Sequence, residues 1–238
     1  MRRLLFAAPL ALLAGAALAQ DTVRLGTEGA YPPYNFLDDS GQIAGFEREL
    51  GDELCARAEL TCEWVTNDWD SIIPNLVSGN YDAIIAAMSI TPERDDVIDF
   101  SENYTPPPPS AYAALSAEAD PLSGVVAAQT GTIQANHVTT TEAALLEFAT
   151  PEEAIAAVRN GEADAVIADK DVLTPQVEAS SEMVFVGEDV FLDEGIGMGF
   201  RESDAELRQT FDAAIRSMKE DGSLNALIDK WLPDSETF

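Results

Sequence analysis

The sequence SIIPNLVSGNYDAIIAA (residues 71–87) recurs in diverged form as EAIAAVRNGEADAVIAD (residues 153–169). The two copies align Gly79 with Gly161, Asp82 with Asp164, Ala83 with Ala165, Ile73 with Ile155 and Ile85 with Ile167. Each copy has the pattern of an amphipathic helix that ends at a glycine, followed by a two-residue turn and a short apolar strand. The repeat therefore predicts two similar α/β units within one chain.

The residues that follow the two repeated strands predict a binding site. Ligands of open α/β sheets bind beyond the carboxyl ends of the strands. Ser89 and Arg94 follow the first copy, and the second copy ends at Asp169. If the two units face each other, a guanidinium and a hydroxyl from one would meet a carboxylate from the other. This combination predicts a crevice for a zwitterionic small molecule.

Strands and helices alternate along the whole chain, which favours an α/β class with mixed sheets. Four consecutive prolines at residues 106–109 cannot donate to a sheet and favour a stiff extended segment. We interpret it as a first crossing between the units, with an ordinary surface loop as the alternative. A second crossing is expected around residues 187–192. The expected domains are residues 20–108 and 193–238 for lobe one and residues 109–192 for lobe two.

Three helix starts carry capping signals. Two sequences of the form Ser/Thr-x-x-Glu, residues 150–153 and 203–206, predict capping boxes. Asp68 is predicted to cap the helix that runs to Val77.

The first nineteen residues have the composition of an export signal. A basic start (residues 1–3) precedes a short apolar run (residues 4–13) and a small-residue cleavage site (residues 17–19). The apolar run is too short to span a bilayer. We expect export to the periplasm and cleavage after Ala19. No cysteine follows that site, which argues against a lipid anchor.

The charge of the chain restricts its partners. With 43 acidic and 13 basic residues the formal net charge is −30, which argues against nucleic acid or anionic membranes as partners. A solvated acidic surface is the simplest interpretation. A second one is that the field concentrates cationic ligands, although salt would screen much of it.

Cys55 and Cys62 are the only cysteines. Export to an oxidising compartment favours a disulfide between them, with two buried thiols as the alternative. Two cysteines and the single histidine, His137, cannot fill a structural zinc shell. We therefore expect no metal, and no other cofactor.

Seven segments together resemble one known family, the periplasmic amino-acid-binding proteins of ABC importers, or family 3 solute-binding proteins. The family normally has an apolar residue where this chain has Arg48. The resemblance implies two α/β lobes joined by two crossing strands, the periplasmic-binding-protein fold, which close like a hinge on a ligand. It also implies a monomer that delivers an amino acid to a membrane permease. The segments are GTEGAYPPYNF (26–36), GFERELGDELCARA (45–58), DWDSIIPNLVSGNYDAIIAAMSITPER (68–94), DFS (99–101), QTGTIQ (129–134), GEADAVIAD (161–169) and GIGMGF (195–200).

The resemblance also implies roles for individual residues. Arg94 would grip the α-carboxylate of the ligand through a bidentate fork, which suits a planar guanidinium. Backbone N–H groups of Ser89, Thr132 and Ile133 would help. Asp169 would take the α-ammonium with the Ser89 hydroxyl and the Ala87 carbonyl, and aromatic rings would line the walls. The predicted ligand-binding set is Glu28, Tyr31, Trp69, Ala87, Met88, Ser89, Arg94, Gln129, Thr132, Ile133, Gln134 and Asp169.

Four of these residues also have a structural interpretation. Arg94 could form a surface ion pair with Glu93 or Asp95, and Asp169 could cap the helix that follows its strand. Trp69 could belong to the core, and Tyr31 could pack in its proline-rich turn.

Glu28 decides the expected side chain of the ligand. It lies three residues before Tyr31, where the lysine/arginine/ornithine and histidine binders of the family place an acidic group. We therefore expect arginine, lysine or ornithine. Three departures leave a neutral polar amino acid or an opine as alternatives: alanines at residues 86–87 replace two serines, Gln129 replaces an apolar residue, and Ile133 replaces a hydroxyl residue.

Two other classes compete with a binding protein. Cyclohexadienyl dehydratases resemble these binders and use a cleft carboxylate for catalysis. A periplasmic sensor domain is the second alternative. The pairing of Asp169 with Arg94 fits a zwitterion, and the lone His137 disfavours a Ser-His-Asp triad. We expect no catalytic residue and no enzymatic activity.

Overall fold

The computed structural model describes residues 22–179, 182–233 and 235–238. The predicted export signal, with cleavage after Ala19, lies outside the described residues. None of the helices in the described part is both long and apolar enough to cross a membrane. Nor does that part hold a cluster of three or more acidic, histidine or cysteine side chains placed to bind a metal ion.

Short strands and helices alternate along the chain. The strands are β1 (Val23–Thr27), β2 (Ala30–Tyr31), β3 (Asn35–Leu37), β4 (Ile43–Ala44), β5 (Cys62–Thr66), β6 (Ala83–Ile84), β7 (Asp99–Phe100), β8 (Ser110–Ala114), β9 (Val125–Gln129), β10 (Ala144–Phe148), β11 (Ala165–Asp169), β12 (Val184–Val190) and β13 (Gly199–Phe200). The helices are α1 (Phe46–Arg57), α2 (Ile72–Val77), α3 (Pro92–Asp95), α4 (Ile133–Val138), α5 (Pro151–Arg159), α6 (Lys170–Ala179), α7 (Ala205–Asp221) and α8 (Ser223–Trp231).

Two five-stranded mixed sheets form the cores of two lobes, which confirms the predicted two-lobed α/β fold. The sheet of the first lobe has the order β5-β1-β6-β13-β7, and a small sheet β2-β3-β4 accompanies it. The sheet of the second lobe has the order β10-β9-β11-β8-β12. In each sheet the strand of the sequence repeat, β6 or β11, runs parallel to one neighbour and antiparallel to the other.

The three central strands of the second sheet, β8, β9 and β11, are mostly apolar and are buried at nearly every position. In β11, Ala165 and Ile167 contribute to one apolar cluster, whereas Val166 and Ala168 contribute to another on the opposite face. Strands that are covered on both sides read as continuous apolar runs. This explains why the second repeat ends in an unbroken apolar segment that delivers Asp169 to the edge of the sheet.

The aspartate that both repeat copies share has the same structural role in each lobe. The Oδ2 atom of Asp82 accepts from the backbone N–H of Arg24, one residue after β1 begins, at 3.0 Å. Asp164 Oδ2 accepts in the same way from the N–H of Val125, the first residue of β9, at 2.8 Å. Each aspartate therefore fixes the register between the repeated strand and its parallel neighbour before the strand reaches the site.

Two connections join the lobes. One runs from β7 to β8 and contains the four prolines, and the other runs from β12 to β13. They lie side by side, because Thr105 and Ile196 form an antiparallel bridge. Domain boundaries at residues 108/109 and 192/193 stay a prediction. The C-terminal helices α7 and α8 contribute Phe211, Ile215 and Ile228 to the apolar cluster that surrounds α1 and β1.

The capping predictions had mixed outcomes. The Thr150–Glu153 capping box is confirmed, with both reciprocal hydrogen bonds present. The box predicted at Ser203 is wrong, because a 3₁₀ turn (Glu202–Asp204) delays the helix to Ala205 and Asp204 makes no side-chain cap. The Asp68 cap is wrong for a similar reason, since a 3₁₀ turn (Trp69–Ser71) follows it and its side chain makes no capping bond.

The predicted disulfide is confirmed: Cys55 near the end of α1 is bonded to Cys62 at the start of β5. The bond closes a loop with a sequence separation of 7 residues. It therefore ties the helix to the edge strand of the first sheet.

Replacing both cysteines by alanine should lower the free energy of unfolding by about 2–3 kcal/mol, because a short loop is no longer closed in the unfolded chain. Urea denaturation under oxidising conditions measures the difference. With a reducing agent present, the wild-type curve should move towards that of the variant. A wild-type midpoint that reduction leaves unchanged would contradict a stabilising role for the bond.

Candidate ligand-binding site

A small cavity lies between the two lobes. Eleven of the twelve residues in the predicted site line it. The lining residues are Glu28, Tyr31, Trp69, Ala86, Ala87, Ser89, Arg94, Gln129, Thr132, Ile133, Gln134 and Asp169.

Met88 is the predicted residue that does not line the cavity. Its side chain is fully buried in the apolar cluster beneath β6, with Ile84 and Tyr81. Ala86, which was not in the predicted set, lines the cavity instead. The chain bends at residues 86–87, so Ala86 and Ala87 both face the cavity and Met88 turns into the core.

Arg94 is held at the cavity by the short helix α3. The Thr91 hydroxyl caps this helix by accepting from the Arg94 N–H. The guanidinium donates to the carbonyl of Ser89 at 2.9 Å and reaches the carbonyl of Gly131 in the second lobe at 3.4 Å. Within the described residues it forms no ion pair with its neighbours in sequence. Burial lowers the pKa of Arg94 to about 10, which leaves it charged at neutral pH.

Trp69 covers the guanidinium of Arg94. The Arg94 Cζ atom lies 5.3 Å from the centroid of the indole ring, within the range of a cation–π contact. Trp69 lies in the 3₁₀ turn that precedes α2, so the segments on either side of the first repeat copy place the two ends of this contact. The indole therefore forms one wall of the cavity and limits the positions that Arg94 can adopt.

Asp169 is the last residue of β11 and is 3% exposed. Tyr31 of the first lobe donates its hydroxyl to Oδ2 at 2.9 Å, and Gln134 Nε2 donates to Oδ1 at 2.8 Å. Burial is the largest influence on this carboxyl and raises its pKa to about 7. An acidic group is thus kept in a site where, without a nearby cation, ionisation is costly.

Glu28 and Gln129 form a second contact between the lobes. Gln129 Nε2 donates to Glu28 Oε1 at 2.6 Å and to the carbonyl of Ala149 at 3.0 Å. Burial raises the pKa of Glu28 to about 7, although the hydrogen bond from Gln129 acts in the opposite direction. The sequence indicated both residues separately but not their contact, because they are 101 positions apart.

Glu47 supports the backbone of the site through hydrogen bonds, and the sequence analysis did not assign it a role. Its carboxylate is fully buried and accepts from the Ala87 N–H at 2.6 Å, from Asn35 Nδ2 at 2.7 Å and from the Tyr104 hydroxyl. Ala87 has a φ of 48°, which is costly for a residue other than glycine. Glu47 therefore stabilises the turn that leads from β6 to Ser89. An acidic residue beside Phe46 on the buried face of α1 was the available signal.

Asp193 was also missed. It lies in the second connection, near the Ser89 hydroxyl, and accepts from the Gly195 N–H at 2.9 Å. Burial is the largest influence on its pKa and raises it. Its charge favours the protonated form of Arg94. The connection thus contributes a carboxylate that supports the hydroxyl and the guanidinium of the first lobe.

Comparison with known proteins places this chain in a family. The model of the bacterial extracellular solute-binding proteins, family 3, matches residues 23–234. The chain belongs to that family. It is 29% identical over 240 residues, 97% of its length and 99% of the relative's, to the putative ABC transporter arginine-binding protein 2 of Escherichia coli (strain K12).

Two solved structures are similar to this family member throughout. A periplasmic His/Glu/Gln/Arg/opine family-binding protein from Silicibacter pomeroyi, in complex with lysine, is 68% identical with a TM-score of 0.89, over 91% of this chain and 100% of that one. The ancestral amino acid-binding protein AncCDT-1, a precursor of cyclohexadienyl dehydratase, is 31% identical with a TM-score of 0.78, over 88% of this chain and 95% of that one.

The ligand-free protein should lose stability as the pH rises from about 4 through 7. The pKa values of Asp169 and Glu28 rise from their usual 3.8 and 4.5 to about 7 on folding. The folded state therefore binds more protons than the unfolded state in this range, and the free energy of unfolding falls as these protons leave. Urea denaturation at pH 5, 6, 7 and 8 measures the slope.

Asp169→Asn should make this slope shallower without removing it, since Glu28 still titrates. Asp229→Asn, at an exposed position of α8, is the matched control and should follow the wild type. An Asp169→Asn profile parallel to that of the wild type would show that Asp169 does not carry this dependence.

Proposed function

We propose that this protein binds a cationic amino acid, namely lysine, ornithine or arginine, in the periplasm and delivers it to the permease of an ABC importer. The observation that carries the proposal is the balance of charge in the cavity. The charged lining residues are Glu28, Arg94 and Asp169, two acids and one base. A cationic amino acid has two positive groups and one negative group, which is the complement.

A bound ligand would lower the raised pKa values of Asp169 and Glu28. Both carboxyls are hard to ionise because they are desolvated with too little positive charge nearby. An α-ammonium beside Asp169 and a distal cation beside Glu28 would stabilise the ionised forms. A neutral amino acid would compensate only one of the two carboxylates, so Glu28 favours a cationic side chain.

The backbone part of the ligand has a place at the Arg94 end. We propose that the guanidinium binds the α-carboxylate through two parallel N–H bonds. Asp169, fixed by Tyr31 and Gln134, accepts the α-ammonium. The Ser89 hydroxyl and the Ala87 carbonyl lie on the same segment and complete the acceptors that the family resemblance implied. Trp69 covers the aliphatic part.

Closure of the two lobes is supported by the contacts that cross the cavity. Tyr31 with Asp169, Gln129 with Glu28, and Arg94 with the Gly131 carbonyl each join one lobe to the other. A small cavity bridged in this way admits a ligand only when the lobes separate. We propose that the two side-by-side connections act as the hinge, and that the protein works as a monomer.

A binding protein is favoured over an enzyme. A dehydratase that acts on prephenate, which has no amino group, would have no use for an acceptor for an α-ammonium, whereas the Asp169 and Arg94 pair suits a zwitterion. The similarity to AncCDT-1 does not separate the two, because that protein is itself described as an amino acid-binding protein.

The test is a thermal-shift screen of the ligand-free protein against the twenty amino acids, ornithine, citrulline, an opine, prephenate and arogenate. A ligand at about 100 times its dissociation constant stabilises the folded state by about 2.7 kcal/mol. We expect the largest shifts with the cationic amino acids and no turnover of prephenate or arogenate. Turnover of either compound would replace the binding function with a catalytic one.

Arg94→Ala should weaken binding of every amino acid by at least about thirtyfold, because loss of one partner from a desolvated charge pair costs about 2 kcal/mol or more. Calorimetry with the best ligand from the screen measures the change. Arg159→Ala, which removes an exposed arginine of α5, controls for net charge and should bind normally. Near-normal affinity in Arg94→Ala would refute the carboxylate contact.

Glu28→Gln should weaken cationic amino acids more than neutral ones, since the amide keeps the shape of the carboxylate but not its charge. Parallel titrations with lysine and glutamine give the two ratios. Asp229→Asn again supplies a control for the loss of one negative charge. Equal losses for both ligands would place the cationic side chain away from Glu28.

A further inference from the structure

The amide of Gln129 has a fixed orientation in the cavity. Its nitrogen donates to Glu28 Oε1 at 2.6 Å and to the Ala149 carbonyl, which can only accept, at 3.0 Å. A flipped amide would turn its oxygen towards that carbonyl and lose the bond. Both N–H bonds are therefore used, and the amide oxygen is the atom that Gln129 can offer to a ligand. The residue is 5% exposed, so little room exists for it to turn away.

The hydrogen bond from Gln129 changes which oxygen atoms of Glu28 can accept from a ligand. A free carboxylate presents two oxygens side by side, the arrangement that a guanidinium binds through two parallel N–H bonds. Here Oε1 already accepts a short bond from Gln129, which leaves Oε2 as the oxygen free of that bond. The pair thus presents one carboxylate oxygen and one amide oxygen as separate acceptors.

The two candidate side-chain cations need different numbers of acceptors. A guanidinium has five N–H donors in a rigid plane, whereas an ammonium has three that rotate to suit their partners. Five of the lining residues have no side-chain acceptor: Trp69, Ala86, Ala87, Arg94 and Ile133. Buried N–H groups without partners are costly, so the guanidinium would lose more in this cavity.

We propose that Gln129 makes the cavity selective for a primary ammonium side chain, that of lysine or ornithine, over the guanidinium of arginine. The inference rests on the proposed function, since it refines which cationic amino acid is taken. Gln129 lies in the second lobe and Glu28 in the first, so the two-oxygen acceptor exists only when the lobes are closed. Selection therefore occurs at closure rather than at the first encounter.

The test is calorimetric titration of the wild type with lysine, ornithine and arginine, repeated with Gln129→Met. Methionine has a similar length and no branching, so it fills the space without donating to Glu28. The wild type should bind lysine at least about tenfold more tightly than arginine. In Gln129→Met the freed carboxylate can receive a guanidinium, and the ratio of lysine to arginine affinity should fall by about tenfold or more.

Two further variants complete the design. Gln129→Leu repeats the test with a second apolar side chain, and circular dichroism of each variant establishes that it is folded. Gln209→Leu, at an exposed position of α7, is the matched control and should keep the wild-type ratio.

The outcomes separate the two proposals. A wild type that binds arginine as tightly as lysine, or folded Gln129 variants that keep the wild-type ratio, overturns the selectivity while the binding function stands. A wild type that binds none of the three amino acids overturns the proposed function and the selectivity with it.

Discussion

The site depends on one buried carboxylate, Asp169, which the fold holds between two lobes. Strand β11 is apolar on both faces and delivers this residue to the cavity with 3% of its surface exposed. Hydrogen bonds from Tyr31 of the first lobe and Gln134 of the second fix its orientation. Ionisation of a buried acid without a cation beside it is unfavourable, so the geometry that positions Asp169 also favours a positive charge next to it. The proposed ligand would supply that charge through its α-ammonium.

A second buried carboxylate explains how the opposite wall is formed. Glu47 accepts three hydrogen bonds and fixes the backbone at Ala87, where φ is positive. The chain then turns towards Ser89, whose carbonyl orients the guanidinium of Arg94. Asp193 reaches the same place from the second connection. Glu47 accepts three hydrogen bonds and does not line the cavity, so it serves the structure. Glu28 lines the cavity and has a single donor, so it keeps capacity for a ligand.

The sequence predicted the parts of the structure that local physics decides. The repeat ends its helices at glycines with positive φ, Gly79 and Gly161, and the Thr150 capping box forms because both partners lie within one turn. The two wrong predictions, at Asp68 and Ser203, lie where a 3₁₀ turn precedes the helix. The position of such a turn depends on packing rather than on the local motif. The Glu28–Gln129 contact could not be predicted from the sequence for another reason. It joins residues 101 positions apart in two lobes, and no local pattern relates them.

The two ends of the cavity are built differently. The contacts at one end are tied to the fold, whereas those at the other end can vary by substitution. The Arg94 end is fixed by local structure of the first lobe: the helix that the Thr91 side chain caps, the Ser89 carbonyl and the turn at Ala87. Changing it would require changes in the fold. The other end consists of the Glu28 and Gln129 side chains, with one hydrogen bond between them and one to the backbone. A single substitution there alters the acceptors without disturbing the zwitterion contacts, so ligand specificity in this fold can change at one end while amino-acid binding is kept.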